Sequence, residues 1–287
     1  MKQLLILSGK GGTGKTTVAG AFIKLANARA FADCDVDAPN LHLVMHQASE
    51  PRNSDYYGMN KAIIDTDKCT NCHTCKTHCH FSAISQTDDK YTVDTYACEG
   101  CGLCEALCPE QAISLTPYVA GELRLYSNDT AFSTAQLKMG SGTSGKLVTE
   151  VKKQLQQEAQ HADLAIIDGS PGIGCPVIAS LSGVDMVLIV AEPSLSGISD
   201  MERIISTAEM FQTKTTVCVN KYDTNRENTK KIEAICQERN IPYAGRIPFD
   251  PEAVKAINNG QSIVDIHCDA GTATREVFKK TMRLLNK

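Results

Sequence analysis

Eight cysteines carry the most specific chemistry in this sequence. Cys69, Cys72, Cys75 and Cys79 follow a C-x2-C-x2-C-x3-C spacing, and Cys98, Cys101, Cys104 and Cys108 repeat it. A loop with a thiolate at every third residue can wrap the corners of an iron–sulfur cube, and eight thiolates serve two four-iron clusters. Structural zinc is the alternative for clustered cysteines. It takes two C-x2-C pairs split by roughly 12–20 residues, which three cysteines at i, i+3, i+6 fit poorly.

A second constellation lies near the N-terminus. Gly9-Lys10-Gly11-Gly12-Thr13-Gly14-Lys15-Thr16 fits G-x-x-x-x-G-K-[ST]. It follows the apolar run Leu4–Leu7 and precedes a helical pattern from Thr16 to about Asn27, with Val18, Ala19, Phe22, Ile23 and Ala26 on one face. That strand–loop–helix order is what a phosphate-binding loop requires. Backbone N–H groups of Gly11, Gly12, Thr13, Gly14, Lys15, Thr16 and Thr17 would cradle phosphates, aided by the helix dipole. Lys15 would reach the β- and γ-phosphates, and the Thr16 hydroxyl would sit on Mg²⁺.

The elements that must position these residues read as two kinds. Strand patterns at 3–8, 29–33, 164–168, 184–191, 215–220 and 243–247 alternate with helical patterns at 16–28, 146–160, 198–211, 226–239, 251–258 and 272–286. Such alternation predicts an α/β fold with a mainly parallel sheet flanked by helices. The cysteine segment interrupts it and is itself a repeat. Ile64-Asp65-Thr66 recurs as Val93-Asp94-Thr95 and Ala83-Ile84-Ser85 as Ala112-Ile113-Ser114, each 29 residues on. A fixed period marks a duplicated unit. One position breaks the repeat, since Cys108 precedes Pro109 but Cys79 precedes His80. Residues 46–61 read as the entry linker. Residues 117–145 read as the return, with one added strand at Leu123–Tyr126 and a plain or gating loop at 140–145.

The two cysteine runs resemble bacterial two-cluster ferredoxins. In those proteins the fourth cysteine of each run crosses to the other cluster. The resemblance implies Cys69, Cys72, Cys75 and Cys108 on one [4Fe–4S] cluster, and Cys98, Cys101, Cys104 and Cys79 on the other. The N-terminal motif, with its extra Lys10, resembles the deviant P-loop of the MinD/ParA/Mrp ATPases. In that family the early lysine crosses a dimer to the partner's nucleotide. Further segments fit the same resemblance. Phe31–Asp37 resembles the second strand running into switch I, implying Asp35, or next Asp37, as the residue that orients water or metal. Leu164–Asp168 ends in an acid that matches the Mg²⁺-supporting Asp, and Gly169-Ser170-Pro171-Gly172 resembles switch II. Asn220 resembles the base-contacting Asn, and Pro248 and Asp250 lie in a segment resembling the loop beside the base. Asn220-Lys221-Tyr222-Asp223 also spells the guanine-reading N-K-x-D, but the deviant P-loop favours ATP.

Together the resemblances describe a P-loop NTPase fold at 1–61 and 118–287, with an inserted α+β ferredoxin-like two-cluster domain at 62–117. The implied cofactors are ATP or ADP, Mg²⁺ and two [4Fe–4S] clusters. The implied protein is an ATPase that couples nucleotide state to electron transfer. It would form a homodimer, or a dimer with a paralogue, and meet a redox or metallocluster protein. The alternatives are a cluster-assembly carrier and a MinD/ParA-like positioning ATPase.

Composition sets the frame for these readings. The chain has 287 residues, 42% hydrophobic content and a formal charge of −4. That is room for an ordinary core. It shows no basic run of the kind that neutralises nucleic-acid phosphates. The 13 cysteines in a chain without a cleavable leader or an 18-residue apolar span point to metal or redox work in a reducing cytoplasm. Membrane attachment is not expected, because basic Arg275–Lys287 reads as a last packing helix. Cys34, Cys218 and Cys236 read as core thiols, and so does Cys175, although its place after switch II also allows a metal-binding role across a dimer. His42 and His46 read as ordinary helix histidines, with a metal pair as the alternative. His73, His78 and His80 flank the first cysteine run and could tune a cluster.

Overall fold

The structure is a computed structural model that describes residues 1–287 except 46, 48 and 89. The strands are β1 (Lys2–Leu7), β2 (Ala30–Asp33), β3 (Arg52–Tyr57), β4 (Lys61–Ile64), β5 (Ile84–Thr87), β6 (Lys90–Val93), β7 (Ile113–Thr116), β8 (Val119–Ser127), β9 (Ala131–Leu137), β10 (Leu164–Asp168), β11 (Met186–Ala191), β12 (Lys214–Asn220) and β13 (Tyr243–Ile247). The helices are α1 (Lys15–Ala26), α2 (Thr74–Thr77), α3 (Leu103–Leu107), α4 (Ser144–Glu158), α5 (Cys175–Leu181), α6 (Leu195–Met210), α7 (Arg226–Glu238), α8 (Pro251–Asn258) and α9 (Asp269–Leu285).

Nine strands form one sheet in the order β13-β12-β11-β1-β10-β2-β9-β8-β3. The seven from β13 to β9 pair in parallel, and β8 and β3 close the edge antiparallel. The parallel strands read as continuous apolar runs because helices cover both faces. Alternation along β1 divides the core: Leu5 and Leu7 face a layer with Val148, Val151, Ile204 and Ile232, whereas Leu4 and Ile6 face Phe22, Ile23, Val277 and Leu285. Phe22 meets Phe278 edge to face, with centroids 5.1 Å apart. The C-terminal segment is therefore a packed helix, as its apolar residues imply. No described helix is long and apolar enough to cross a membrane.

Residues 46–61 and 117–145 are more than linkers. β3, β8 and β9 extend the central sheet, and β9 lies directly beside β2 in register Ala30↔Ala131. Between β3 and β8 sits the cysteine segment, with two small sheets of its own, β4–β7 and β5–β6. These pairings cross the repeat: the first strand of one half pairs with the last strand of the other (Ile64↔Ile113). Its apolar cluster is small, with Ala62, Ala83, Cys98 and Ile113 buried. The repeat persists in the backbone. Asn71 and Gly100, His73 and Gly102, and Ser82 and Gln111 are left-handed pairs, each 29 residues apart. Replacing Pro109 by His80 therefore leaves the turn geometry of the first half intact.

Candidate functional site

The phosphate-binding loop joins β1 to α1, with Gly12 and Gly14 left-handed at φ 79° and 90°. Glycine supplies that backbone without a Cβ penalty. At Gly14 a Cβ would fall 2.3 Å from Asn220 Nδ2. Lys15 is the first residue of α1. Its Nζ lies 2.5 Å from Asp168 Oδ1, and Thr16 Oγ1 donates to Asp168 Oδ2 at 2.7 Å. Asp168 is fully buried at the end of β10. Burial alone would lower the Lys15 pKa, but the charges of Asp168, Asp33 and Asp35 outweigh it and hold the ammonium protonated. The glycine loop, Asp168 and the segments expected to act as switches thus meet at the C-terminal ends of β1, β2 and β10.

A third acid there was not singled out in the sequence. Asp33 ends β2 and pairs in register with Asp168 at the end of β10. It is fully buried and accepts backbone N–H bonds from Asp35, Asn40 and Leu41 at 3.0, 2.9 and 2.9 Å. Burial, and then the Asp168 charge, push its carboxyl up to about 7. The signal was present: Phe31-Ala32-Asp33 is a buried strand closed by an acid, the pattern that picked out Asp168. Asp33 shapes switch I by holding its backbone.

Asp35 is half-buried, and burial raises its carboxyl. Asp37 is exposed. Both line a cavity of about 680 Å³ together with Lys10 to Thr17, Ser170 and Pro171, a size suited to a small-molecule ligand. Switch II touches switch I, since Ser170 Oγ donates to the Cys34 carbonyl at 2.6 Å. Lys10 lies on its own chain, 2.9 Å from Glu192 and within reach of Ser194 Oγ at 3.1 Å. A second cavity of about 190 Å³ adjoins the loop, lined by Gly12, Gly14, Asn220, Pro248, Phe249 and Asp250 among others. Asn220 Nδ2 donates to the Thr13 carbonyl at 2.7 Å and Lys221 Nζ to the Gly12 carbonyl at 2.8 Å. The N-K-x-D set does not converge on this cavity. Asp223 spends its carboxylate on the Phe249 N–H at 2.7 Å. Asp250 caps α8 and accepts from Ala270 N at 3.1 Å, so it shapes the cavity wall.

The cysteines gather in two fours. Pairing of β4 with β7 brings Cys108 to the loop after β4, and one cavity is lined by Cys69, Cys72, Cys75 and Cys108. Pairing of β5 with β6 brings Cys79 to the loop after β6, and another is lined by Cys79, Cys98, Cys101 and Cys104. Among the described residues no three His, Cys, Asp or Glu converge as ligands of a single metal ion. His73 lies beside the first cavity, bonded through Nδ1 to the Tyr91 hydroxyl.

Three weaker expectations change. Cys175 is exposed at the start of α5 rather than a buried thiol, because Gly174 and Pro176 hold the chain at the surface there. Cys34, Cys218 and Cys236 are buried. His42 sits in a short 3-10 turn, Leu41–Leu43, rather than an α-helix. His46 lies outside the described residues.

A parallel sheet with a glycine loop at a helix N-terminus, a lysine inside the loop and an acid at the next strand's end defines a P-loop nucleotide-binding protein. The chain belongs to the CobQ/CobB/MinD/ParA nucleotide binding domain family, whose profile matches residues 4–263. It is 31% identical to an uncharacterized protein of Methanocaldococcus jannaschii over 97% of this chain and 95% of that one. It is 28% identical to the septum site-determining protein MinD of Bacillus subtilis over 46% of this chain and 52% of that one. Among solved structures, the Pyrococcus horikoshii MinD complexed with Mg-ADP aligns with a TM-score of 0.60 at 17% identity, covering 99% of this chain and 96% of that one.

Proposed function

We propose that this chain is an ATP-hydrolysing iron–sulfur protein. Residues 1–61 and 118–287 form the nucleotide-driven unit, and residues 62–117 an inserted ferredoxin-like unit holding two [4Fe–4S] clusters. The pair of four-cysteine cavities carries the reading. The C-x2-C-x2-C-x3-C spacing adds to it, since structural zinc takes two C-x2-C pairs set further apart. A four-iron cube takes one thiolate per iron, so its ligands stand around a volume. Bound clusters supply one-electron chemistry, with potentials set by hydrogen bonds to sulfur and by solvent access.

The residues lining the two cavities beside the loop support a set of nucleotide roles. Gly11 to Thr17 receive the phosphates, Lys15 neutralises their charge, and Thr16 and Asp168 hold Mg²⁺. Asp35, with Asp37 beside it, orients the attacking water. Asn220, Pro248 and Asp250 bound the space for the adenine. Lys10 leaves Glu192 to meet the nucleotide of a second copy or a paralogue, and a redox or metallocluster protein takes up the electrons.

The test is iron and hydrolysis measured together on anaerobically purified protein. About eight iron per chain is expected, falling by about half or more in Cys72→Ser or Cys101→Ser, with ATP hydrolysis lost in Lys15→Ala. Zinc in place of iron would overturn the cluster assignment. A second reading, a positioning ATPase, draws on the likeness to Bacillus subtilis MinD. It would be favoured if both cysteine variants kept every nucleotide-dependent property of the wild type.

A further inference from the structure

The loop between β9 and α4 meets one cysteine loop and is flanked by contacts to switch I on one side and to the start of α5, after switch II, on the other. At its start, β9 holds switch I: Leu137 N donates to the Val36 carbonyl at 2.8 Å, and Gln136 Nε2 donates to the Asp37 carbonyl at 3.1 Å. At its end, the first turn of α4 lies on the first residue of α5, just after switch II. A Cβ on Gly145 would fall 3.1 Å from the Cys175 carbonyl oxygen. Lys152 of α4 is buried and donates to the Ser180 carbonyl at 2.8 Å, tying α4 to the far end of α5.

In between, the loop meets the insert. A Cβ on Gly140 would lie 3.3 Å from the Tyr96 ring, and one on Gly142 would lie 3.6 Å from Glu99 Oε2. The Tyr56 hydroxyl donates to Thr143 Oγ1 at 3.0 Å. The chain from β3 into β4 at Asn60 and Lys61, a stalk to the insert, grips the same cysteine loop: Lys61, buried, donates from Nζ to the Cys98 carbonyl, and Gly100 admits the Asn60 carbonyl where a Cβ would come within 2.0 Å.

The other cysteine loop is set apart. Among the described residues, the side-chain hydrogen bonds of residues 65–94 all stay within residues 61–116. The two sites therefore stand in different mechanical relations to the nucleotide.

We propose that the Lys138–Gly145 loop is a one-sided relay: nucleotide state reaches the site of Cys98, Cys101, Cys104 and Cys79 through it and leaves the site of Cys69, Cys72, Cys75 and Cys108 unaddressed. This rests on the ATPase reading above. Coupling requires ATP to bind two arrangements of the relay with different affinity. Contiguity alone does not supply that difference, so the measurement must.

The experiment compares full-length protein with ATP and Mg²⁺, with ADP and Mg²⁺, and without nucleotide. Amide hydrogen exchange is read by mass spectrometry, and iron extraction by bipyridyl is followed on parallel samples. We expect ATP to change exchange at 138–145 and 98–104 by about fivefold or more, with 69–75 unchanged. Bipyridyl should show two pools of iron, of which ATP alters one. Cys101→Ser should lose the responsive pool, whereas Cys72→Ser should retain it. Tyr56→Phe should shrink the ATP effect at 98–104 while hydrolysis stays at the wild-type rate. An equal ATP effect at 69–75, an effect there alone, or an undiminished effect in Tyr56→Phe would overturn the relay. Exchange is compared only between nucleotide states of one preparation, so cluster content is the same in every arm. Absent iron or absent hydrolysis would therefore count against the functional reading, while the exchange pattern judges the relay.

Discussion

The nucleotide half and the cysteine insert are held together by different physics. In the nucleotide half, β1, β10 and β11 are almost wholly buried between helices, and the two apolar layers on either face of the sheet are continuous. Each fully buried Leu, Ile or Val there contributes about 1.5–3 kcal/mol. The insert buries far less: Ala62, Ala83, Ile84, Tyr91, Cys98, Ala112 and Ile113 are its buried apolar residues. Below about 70 residues such a core rarely suffices, and metals commonly take its place. On the iron–sulfur reading, the insert's fold would be coupled to the clusters its cysteines bind.

Removing metal should break that comparison most visibly. After iron is stripped anaerobically with a chelator, residues 62–117 should lose amide protection, because metal-binding energy is folding energy in such units. The nucleotide half should keep its protection and its affinity for ATP. An insert that stayed protected without metal would show that its small core is enough.

The next largest effect belongs to the nucleotide half. Lys15→Ala removes the partner of Asp168 at 2.5 Å and the cation meant for the phosphates. Hydrolysis should fall by about 100-fold or more, the scale of losing one preorganised charge stabiliser. Asp168→Asn should act similarly while iron content stays unchanged. A parallel loss of iron would mean that the halves are not separate folding units.

The sequence was most legible where chemistry fixes spacing. The glycine loop and the cysteine runs require particular residue types at particular offsets, and Lys15 and the eight cysteines lie where those offsets imply. It was least legible at the sheet edge. Arg52-Asn53-Ser54-Asp55 has no apolar alternation because β3 is an exposed edge strand, so it resembled a linker. Ala131–Leu137 of β9 is buried, but its Ser, Thr and Gln hide the apolar pattern, and its place beside β2 is decided by tertiary pairing. Asp33 was passed over because its task is to hold switch backbone, a role without a motif.

Asp33 also sets the expected pH dependence of the nucleotide-free, Mg²⁺-free protein. Its folded-state carboxyl sits at about 7, above an unfolded value of about 3.9. Between these values the native state holds the extra proton, so stability falls as pH rises from about 4 to about 7 and levels off above. One proton gives a slope of at most about 1.4 kcal/mol per pH unit. Asp33→Asn should flatten that window in urea titrations taken at successive pH values. An unchanged slope would place the proton elsewhere in the Asp33–Lys15–Asp168 group.

The smallest effect compares the two halves of the insert with each other. The first cysteine loop places Asn71 and His73 in left-handed backbone where the second has Gly100 and Gly102. Asparagine tolerates that region at some cost, and glycine occupies it freely. Asn71→Gly should therefore be neutral or stabilise the iron-loaded insert by up to about 1 kcal/mol, since relief of the strained backbone opposes the added freedom of the unfolded chain. Gly102→Ala meets only the Leu115 side chain, 3.7 Å away, so its cost is the backbone term alone, about 1 kcal/mol. Gly100→Ala is a different case. Its Cβ would collide with the Asn60 carbonyl oxygen at 2.0 Å, so the stalk must move, and the loss should exceed that of Gly102→Ala. Thermal melts of the iron-loaded variants rank the three. Equal losses for Gly100→Ala and Gly102→Ala would mean that the second loop yields where it meets the stalk, and the difference between the two cysteine loops would then lie in backbone preference alone.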